Sequence, residues 1–159
     1  MKRSPTRNFV PDPGGRRTQC GALCWRHAEG EVQVLLVTSR DTGRWVIPKG
    51  WPIDGLDMAG AALREAWEEA GVRGAVDPAP LGWYSYDKVL RRGPSGTAVP
   101  CIVAVHPLQV TQQENRFPEA KERRRMWFGL AEAATRVDEP ELSALIAGFR
   151  PPVDVPDGA

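Results

Sequence analysis

GWPIDGLDMAGAALREAWEEAGV, residues 50–72, is the stretch whose reading decides the fold of this chain. Within it Glu65, Glu68 and Glu69 stand at i, i+3 and i+4. On a helix those positions share one face. The opposite side carries Ala59, Ala62, Leu63, Ala66 and Ala70, an apolar stripe at the helical period. Asp57 stands at the N-cap position, and Gly71 stands where a left-handed C-cap is wanted. The stretch therefore predicts a short helix that buries alanines and turns three carboxylates outward together. Like charges at that spacing repel one another. A hard divalent cation bound by carboxylate oxygens relieves the repulsion, and Mg²⁺ is the usual choice when a substrate phosphate completes its shell. On the triplet alone a plainer reading stays open: a solvated acidic face with Arg64 paired to Glu68 at i, i+4.

The wider context changes that weight. The stretch resembles the Nudix box, Gly-x5-Glu-x7-Arg-Glu-U-x-Glu-Glu-x-Gly-U, where U is aliphatic. Gly50, Arg64, Glu65, Glu68, Glu69, Gly71 and Val72 fall at the required spacings, and Ala66 is a small substitute for the aliphatic residue. The first glutamate of the pattern is Leu56 here, followed by Asp57. In the family that glutamate is mainly a partner of the box arginine. The resemblance implies a Nudix fold, an α/β/α sandwich with a mixed central sheet.

Beyond the box, Arg16-Arg17, the Thr38-Ser39-Arg40 run ahead of Arg44-Trp45, and Arg123-Arg124-Arg125-Met126-Trp127-Phe128 are similar to diphosphoinositol polyphosphate phosphohydrolases, which also cleave diadenosine polyphosphates. The likeness covers roughly residues 16–136. Lys49 and Trp51 flank Gly50 where animal members carry more glycine, and Met126 replaces an acidic residue.

Working outward, 159 residues suffice for one domain with a substantial core. Residues 1–15 read as a loose arm, 16–150 as the domain and 151–159 as a frayed tail. A net charge of +1 gives no global field for nucleic acid or a membrane surface. No apolar run is long enough to span a bilayer, and the basic start lacks a signal core. Cys20, Cys24 and Cys101 lack metal spacing and read as buried thiols of a cytoplasmic protein. Strands are predicted over 18–26, 32–38, 45–47, 75–88 and 99–108, with another following Arg125. Lys49-Gly50 is expected to be loop, Pro100 to mark an edge or bulge, 109–121 to be polar loop, and 130–136 and 139–149 to be helical.

The resemblance implies hydrolysis of a pyrophosphate bond in a highly phosphorylated small molecule, a dinucleoside polyphosphate or a diphosphoinositol polyphosphate. It implies Mg²⁺, with Mn²⁺ as a substitute, on Glu65 and Glu69, and Glu68 as the base that takes a proton from water. Arg64 and Gly71 are given structural roles. Arg17, Ser39, Arg40, Gly50 and Arg123 are expected at the substrate, since arginine grips phosphate in a bidentate fork. Arg91-Arg92 reads as a solvated turn. Glu114, Glu119 and Glu122 are all candidates to complete the metal shell. Trp51, beside Gly50, is positioned to touch substrate, whereas Trp83 and Tyr86 are assigned to packing. Two other readings remain: a nucleotide-pool sanitising triphosphate pyrophosphohydrolase, and a non-catalytic Nudix domain that senses a nucleotide.

Overall fold

A computed structural model describes residues 15–89 and 98–151. The arm up to residue 14, the 90–96 turn with Arg91 and Arg92, and the tail beyond Pro151 lie outside the described residues. Two long strands, β1 (Arg17–Ala28) and β2 (Glu31–Thr38), form an antiparallel hairpin across the Glu29-Gly30 turn. Their central stretches, residues 20–25 and 34–37, carry no polar side chain because both faces of the sheet are covered there. Alternation sorts their side chains. Cys20, Ala22, Cys24, Leu35 and Val37 face one layer; Leu23, Trp25, Val34 and Leu36 face the other.

The first layer is α1 (Met58–Ala70), seated through Ala61, Ala62, Ala66 and Ala70. Alanine stems let the helix axis approach the sheet closely, but each methyl contributes only about 0.8 kcal/mol of apolar burial. The ends of α1 therefore matter. Asp57 Oδ1 accepts the Gly60 N–H at 2.7 Å, a good N-cap. Gly71 closes the helix at φ 69°, ψ 33°, donating to the Ala66 and Trp67 carbonyls. The opposite layer holds α2 (Leu130–Arg136) and α3 (Pro140–Ala147), with Ala133, Leu142 and Ile146 packed on the sheet.

Among the described residues the sheet has eight strands. The strands β3 (Trp45–Val46) and β4 (Lys49–Gly50) pair with β2 and β1 respectively. Lys49-Gly50 is thus not free loop: it ladders onto Cys20-Gly21. The predicted 75–88 strand is two strands, β5 (Val72–Val76) and β6 (Gly82–Val89). The break is local: Asp77 turns back on the Ala79 N–H at 3.0 Å, and two prolines follow. The long β7 (Ala98–Gln113) takes both on one edge and β1, in parallel, on the other. Pairing with β5 carries β7 to Gln113, through residues read as loop, because register partners outweigh local polarity. Pro100 sits in this central strand, one residue before the ladder with β1 begins, so its missing N–H disturbs no β1 pairing. Finally β8 (Arg125–Gly129) pairs with β2. One parallel pair among antiparallel ones makes the sheet mixed, and helices on both faces complete an α/β/α sandwich.

The three cysteines are free and buried, and burial pushes the Cys20 and Cys24 thiols up to about 12. No helix among the described residues is long and apolar enough to cross a membrane.

At Gly71 an added Cβ would stand 2.3 Å from Phe117 Cδ1 in a left-handed backbone. Gly71→Ala should therefore lower stability by about 2 kcal/mol, read as a shift in urea midpoint at constant m-value.

Candidate active site

β4 crosses the flank of α1, and the two elements meet at one point. The Glu65 carboxylate lies against Gly50, where an added Cβ would come within 2.4 Å of Cδ and Oε2. One turn on, Glu69 Oε1 accepts the Lys49 backbone N–H at 3.3 Å. Glu69 is 7% exposed, so the helix does not turn three carboxylates to solvent together. The sheet side of α1 includes the Glu69 position, and only Glu68 keeps a substantially open side chain. Burial first, then the Glu69 and Glu68 carboxylates, push the Glu65 carboxyl up. Burial also raises Glu69, opposed chiefly by Arg123 and Lys49. Two crowded, half-desolvated carboxylates call for a shared proton or a bound cation.

Part of the compensation comes from Arg123. Its guanidinium bonds Glu119 Oε1 at 2.8 Å and the Thr38 carbonyl at 2.9 Å, and lies 3.4 Å from Glu69 Oε2. Glu119 is carried in by the 114–122 segment, which docks on α1 through Glu119 N–H to the Glu68 carbonyl. Of the three downstream acids, Glu119 is the one the fold brings to the pair. Glu122 bonds Arg40 at 3.0 Å, and Glu114 is an exposed residue whose backbone N–H meets the Gly71 carbonyl. Arg40 differs from Arg123 in one respect that decides its use. Its side chain is 55% exposed, and exposed ion pairs are worth about 0–1 kcal/mol, so it can leave Glu122 for a phosphate. The Arg123 pairing is buried and fixed.

These groups line a cavity of about 300 Å³. Glu65, Glu69 and Glu119 occupy it with Gly50, Ser39, Arg40 and Arg123. Lys49, Lys88, Gln19, Tyr86, Trp51, Asp41 and Val46 complete it. Burial lowers the Lys49 ammonium to about 8 despite the nearby Glu69 carboxylate; its Nζ lies 5.0 Å from the centre of the Tyr86 ring. Tyr86 is therefore not plain packing: its hydroxyl donates to Gln19 Oε1 at 2.6 Å inside the cavity. Trp83, also assigned to packing, is 45% exposed and lies outside it. Four other sequence candidates are not in the lining. Arg17 stands at the rim, its guanidinium 5.2 Å from the Trp51 ring centre. Glu68 lies beside the cavity, 3.9 Å from Arg64. That contact gives the box arginine its ion pair, while Asp57, behind Leu56, caps the helix. Gly71 is at the far end of α1. Lys88 belongs to no motif, and the alternation of Tyr84, Tyr86 and Lys88 on β6 is its signal.

Two larger depressions, of about 840 and 540 Å³, lie elsewhere. In the first, beside the Glu29-Gly30 turn, the acids Glu29, Glu31 and Glu132 are all exposed; the second is lined mainly by apolar groups. Neither combines buried carboxylates with facing cations.

Among the described residues no group of three or more His, Cys, Asp or Glu is arranged to hold a metal ion. Mg²⁺ does not require one, since it commonly binds one or two carboxylates and takes water and substrate phosphate for the rest. The Glu65–Glu69 pair, with Glu65 cradled on Gly50, fits that donor set.

Comparison with known proteins gives a consistent picture. A NUDIX domain family model matches residues 16–148. The chain is 36% identical over 124 residues to Nudix hydrolase 21, chloroplastic, of Arabidopsis thaliana, covering 75% of this chain and 59% of that protein. It is 43% identical over 77 residues to human diphosphoinositol polyphosphate phosphohydrolase 3-alpha, covering 48% of this chain and 46% of that one. The chain thus spans about half the length of these curated relatives. Among solved structures, C. elegans Ap4A hydrolase superposes with a TM-score of 0.55 at 20% identity, covering 82% of this chain and 92% of that one. The NUDIX domain of Shewanella oneidensis NrtR, complexed with ADP ribose, gives 0.60 at 18%, covering 86% and 91%. At these identities the two structures speak to the fold alone.

Arg123→Ala should cost about 3 kcal/mol, because it leaves Glu69 and Glu119 without their guanidinium. Arg40→Ala should cost under about 1 kcal/mol. Parallel denaturant titrations check the contrast.

Proposed function

The chain belongs to the NUDIX domain family, and from that premise we propose that it is a metal-dependent pyrophosphohydrolase of highly phosphorylated small molecules, dinucleoside polyphosphates or diphosphoinositol polyphosphates. The observation that carries this reading is the buried Glu65–Glu69 pair against Gly50, in a cavity that also presents cationic side chains. Carboxylates and cations facing one another suit a substrate that arrives as a polyanion accompanied by a divalent cation.

Glu65 and Glu69 are the residues to hold Mg²⁺, or Mn²⁺ in its place. When bound, the ion supplies Lewis-acid neutralisation of pyrophosphate charge. The remaining work falls to the chain. Arg123 keeps Glu69 oriented. Arg40, released from Glu122, and Lys49 and Lys88 meet phosphate oxygens beyond the cleaved bond. Ser39 lines the same wall, held by its Oγ to Thr42 Oγ1 at 2.7 Å. Arg17 adds positive charge at the rim. Gly50 leaves room for backbone approach.

Two carboxylates compete for the part of general base. Glu119 is held by Arg123 at 2.8 Å, so its carboxylate is already engaged. Glu68 has only a 3.9 Å, part-exposed contact with Arg64. Its lone pairs are the less engaged ones. Glu68 is therefore the base in this reading, with Glu119 positioning Arg123.

The test is product analysis with Mg²⁺ on diadenosine polyphosphates, a diphosphoinositol phosphate and an oxidised nucleoside triphosphate. Cleavage of one of the first two, abolished by chelator and restored by Mg²⁺, is expected. Glu68→Gln should lower kcat about 10²- to 10⁴-fold with an unchanged thermal midpoint, and Glu119→Gln should lower it less. Unchanged turnover in Glu68→Gln removes Glu68 from the role. Failure to cleave any of the three contradicts the proposed function.

A further inference from the structure

A dinucleoside polyphosphate carries flat aromatic bases, and a diphosphoinositol polyphosphate carries none. The cavity contains a group that separates them. Trp51 follows Gly50 directly, so its place relative to Glu65 is set within one residue, and Pro52 behind it is buried. Trp51 is 37% exposed, whereas Trp25 in the core is 5% exposed. Other large apolar side chains also meet solvent, among them Trp83 and Met126 at 45% each, but these lie outside the cavity. Trp51 is the exposed aromatic that lines it.

The cations tell the same story from the other side. Binding of a densely phosphorylated ring calls for several free guanidinium forks. Yet of the two arginines that line the cavity among the described residues, Arg123 is fixed between Glu119 and Glu69, and only Arg40 can turn from its exposed pair with Glu122 to a phosphate. What the rim offers is an indole with the Arg17 guanidinium 5.2 Å from its centre. A guanidinium over an indole polarises and steadies the ring. An indole so held is a platform for another flat π-system, and every nucleobase has such a face. A phosphorylated cyclohexane ring has none.

We propose that Trp51 is a base-stacking platform at the mouth of the cavity, so that the substrate is a nucleoside polyphosphate whose base rests on Trp51 while its phosphates enter toward Glu65 and Glu69. This rests on the pyrophosphohydrolase reading.

The experiment compares wild type, Trp51→Ala and Trp51→Phe with diadenosine tetraphosphate as substrate and inorganic tripolyphosphate as a base-free competitor. Trp51→Ala should raise KM for diadenosine tetraphosphate about tenfold or more, with a much smaller change in kcat. The inhibition constant of tripolyphosphate should move less than about twofold, because stacking contributes nothing to it. Trp51→Phe should recover most of the lost affinity. Equal weakening of both ligands would overturn the proposal by making Trp51 a shaping residue, and so would no change in KM. Wild-type protein that cleaves a diphosphoinositol phosphate but not diadenosine tetraphosphate also overturns it, leaving the pyrophosphohydrolase reading intact. Protein that cleaves neither removes both.

Discussion

Two carboxylates crowded onto the sheet-side flank of one helix constrain everything around them. Glu65 and Glu69 are one turn apart, partly stripped of water, and pressed against the Lys49-Gly50 backbone. A pair like this costs free energy unless something positive is near. The surroundings answer that need on three sides: Arg123 from the link between the docking segment and β8, Lys49 from the strand that crosses the helix, and an open cavity where a divalent cation would enter. The alanine face of α1 follows from the same constraint. Bulkier side chains there would lift the helix from the sheet and take Glu65 away from Gly50.

How far the sequence showed this depends on the range of each interaction. The helix was legible to its ends because caps are local: Asp57 reaches three residues and Gly71 closes its own turn. The family resemblance was legible because the box is contiguous. The direction of Glu69 was not, since whether a carboxylate at that helix position meets solvent or sheet depends on where β4 passes. Periodicity on the helix alone put it outward. Lys49-Gly50 read as loop for the related reason that its ladder partners, Cys20-Gly21, lie far upstream.

The arginines illustrate the same limit in electrostatic terms. Arg40 and Arg123 are named readily by their place in the sequence, but both pair with acids of the 114–122 segment, and Arg123 with Glu69 as well. Only the fold reveals that one is fixed by buried acids and the other held by an exposed, weak pair. That distinction makes Arg123 an organiser of the carboxylates and Arg40 a side chain free to move. It also singles out Glu119 from three equivalent-looking acids.

The central claim is that Glu65 and Glu69 together hold a divalent cation against Gly50. Titration of the protein with Mn²⁺, following the free ion by electron paramagnetic resonance in the presence of imidodiphosphate, tests it without reference to turnover. Wild type should take up Mn²⁺ saturably, and Glu65→Gln and Glu69→Gln should each lose that uptake while keeping their fold by circular dichroism. Uptake by both variants equal to wild type would contradict the account.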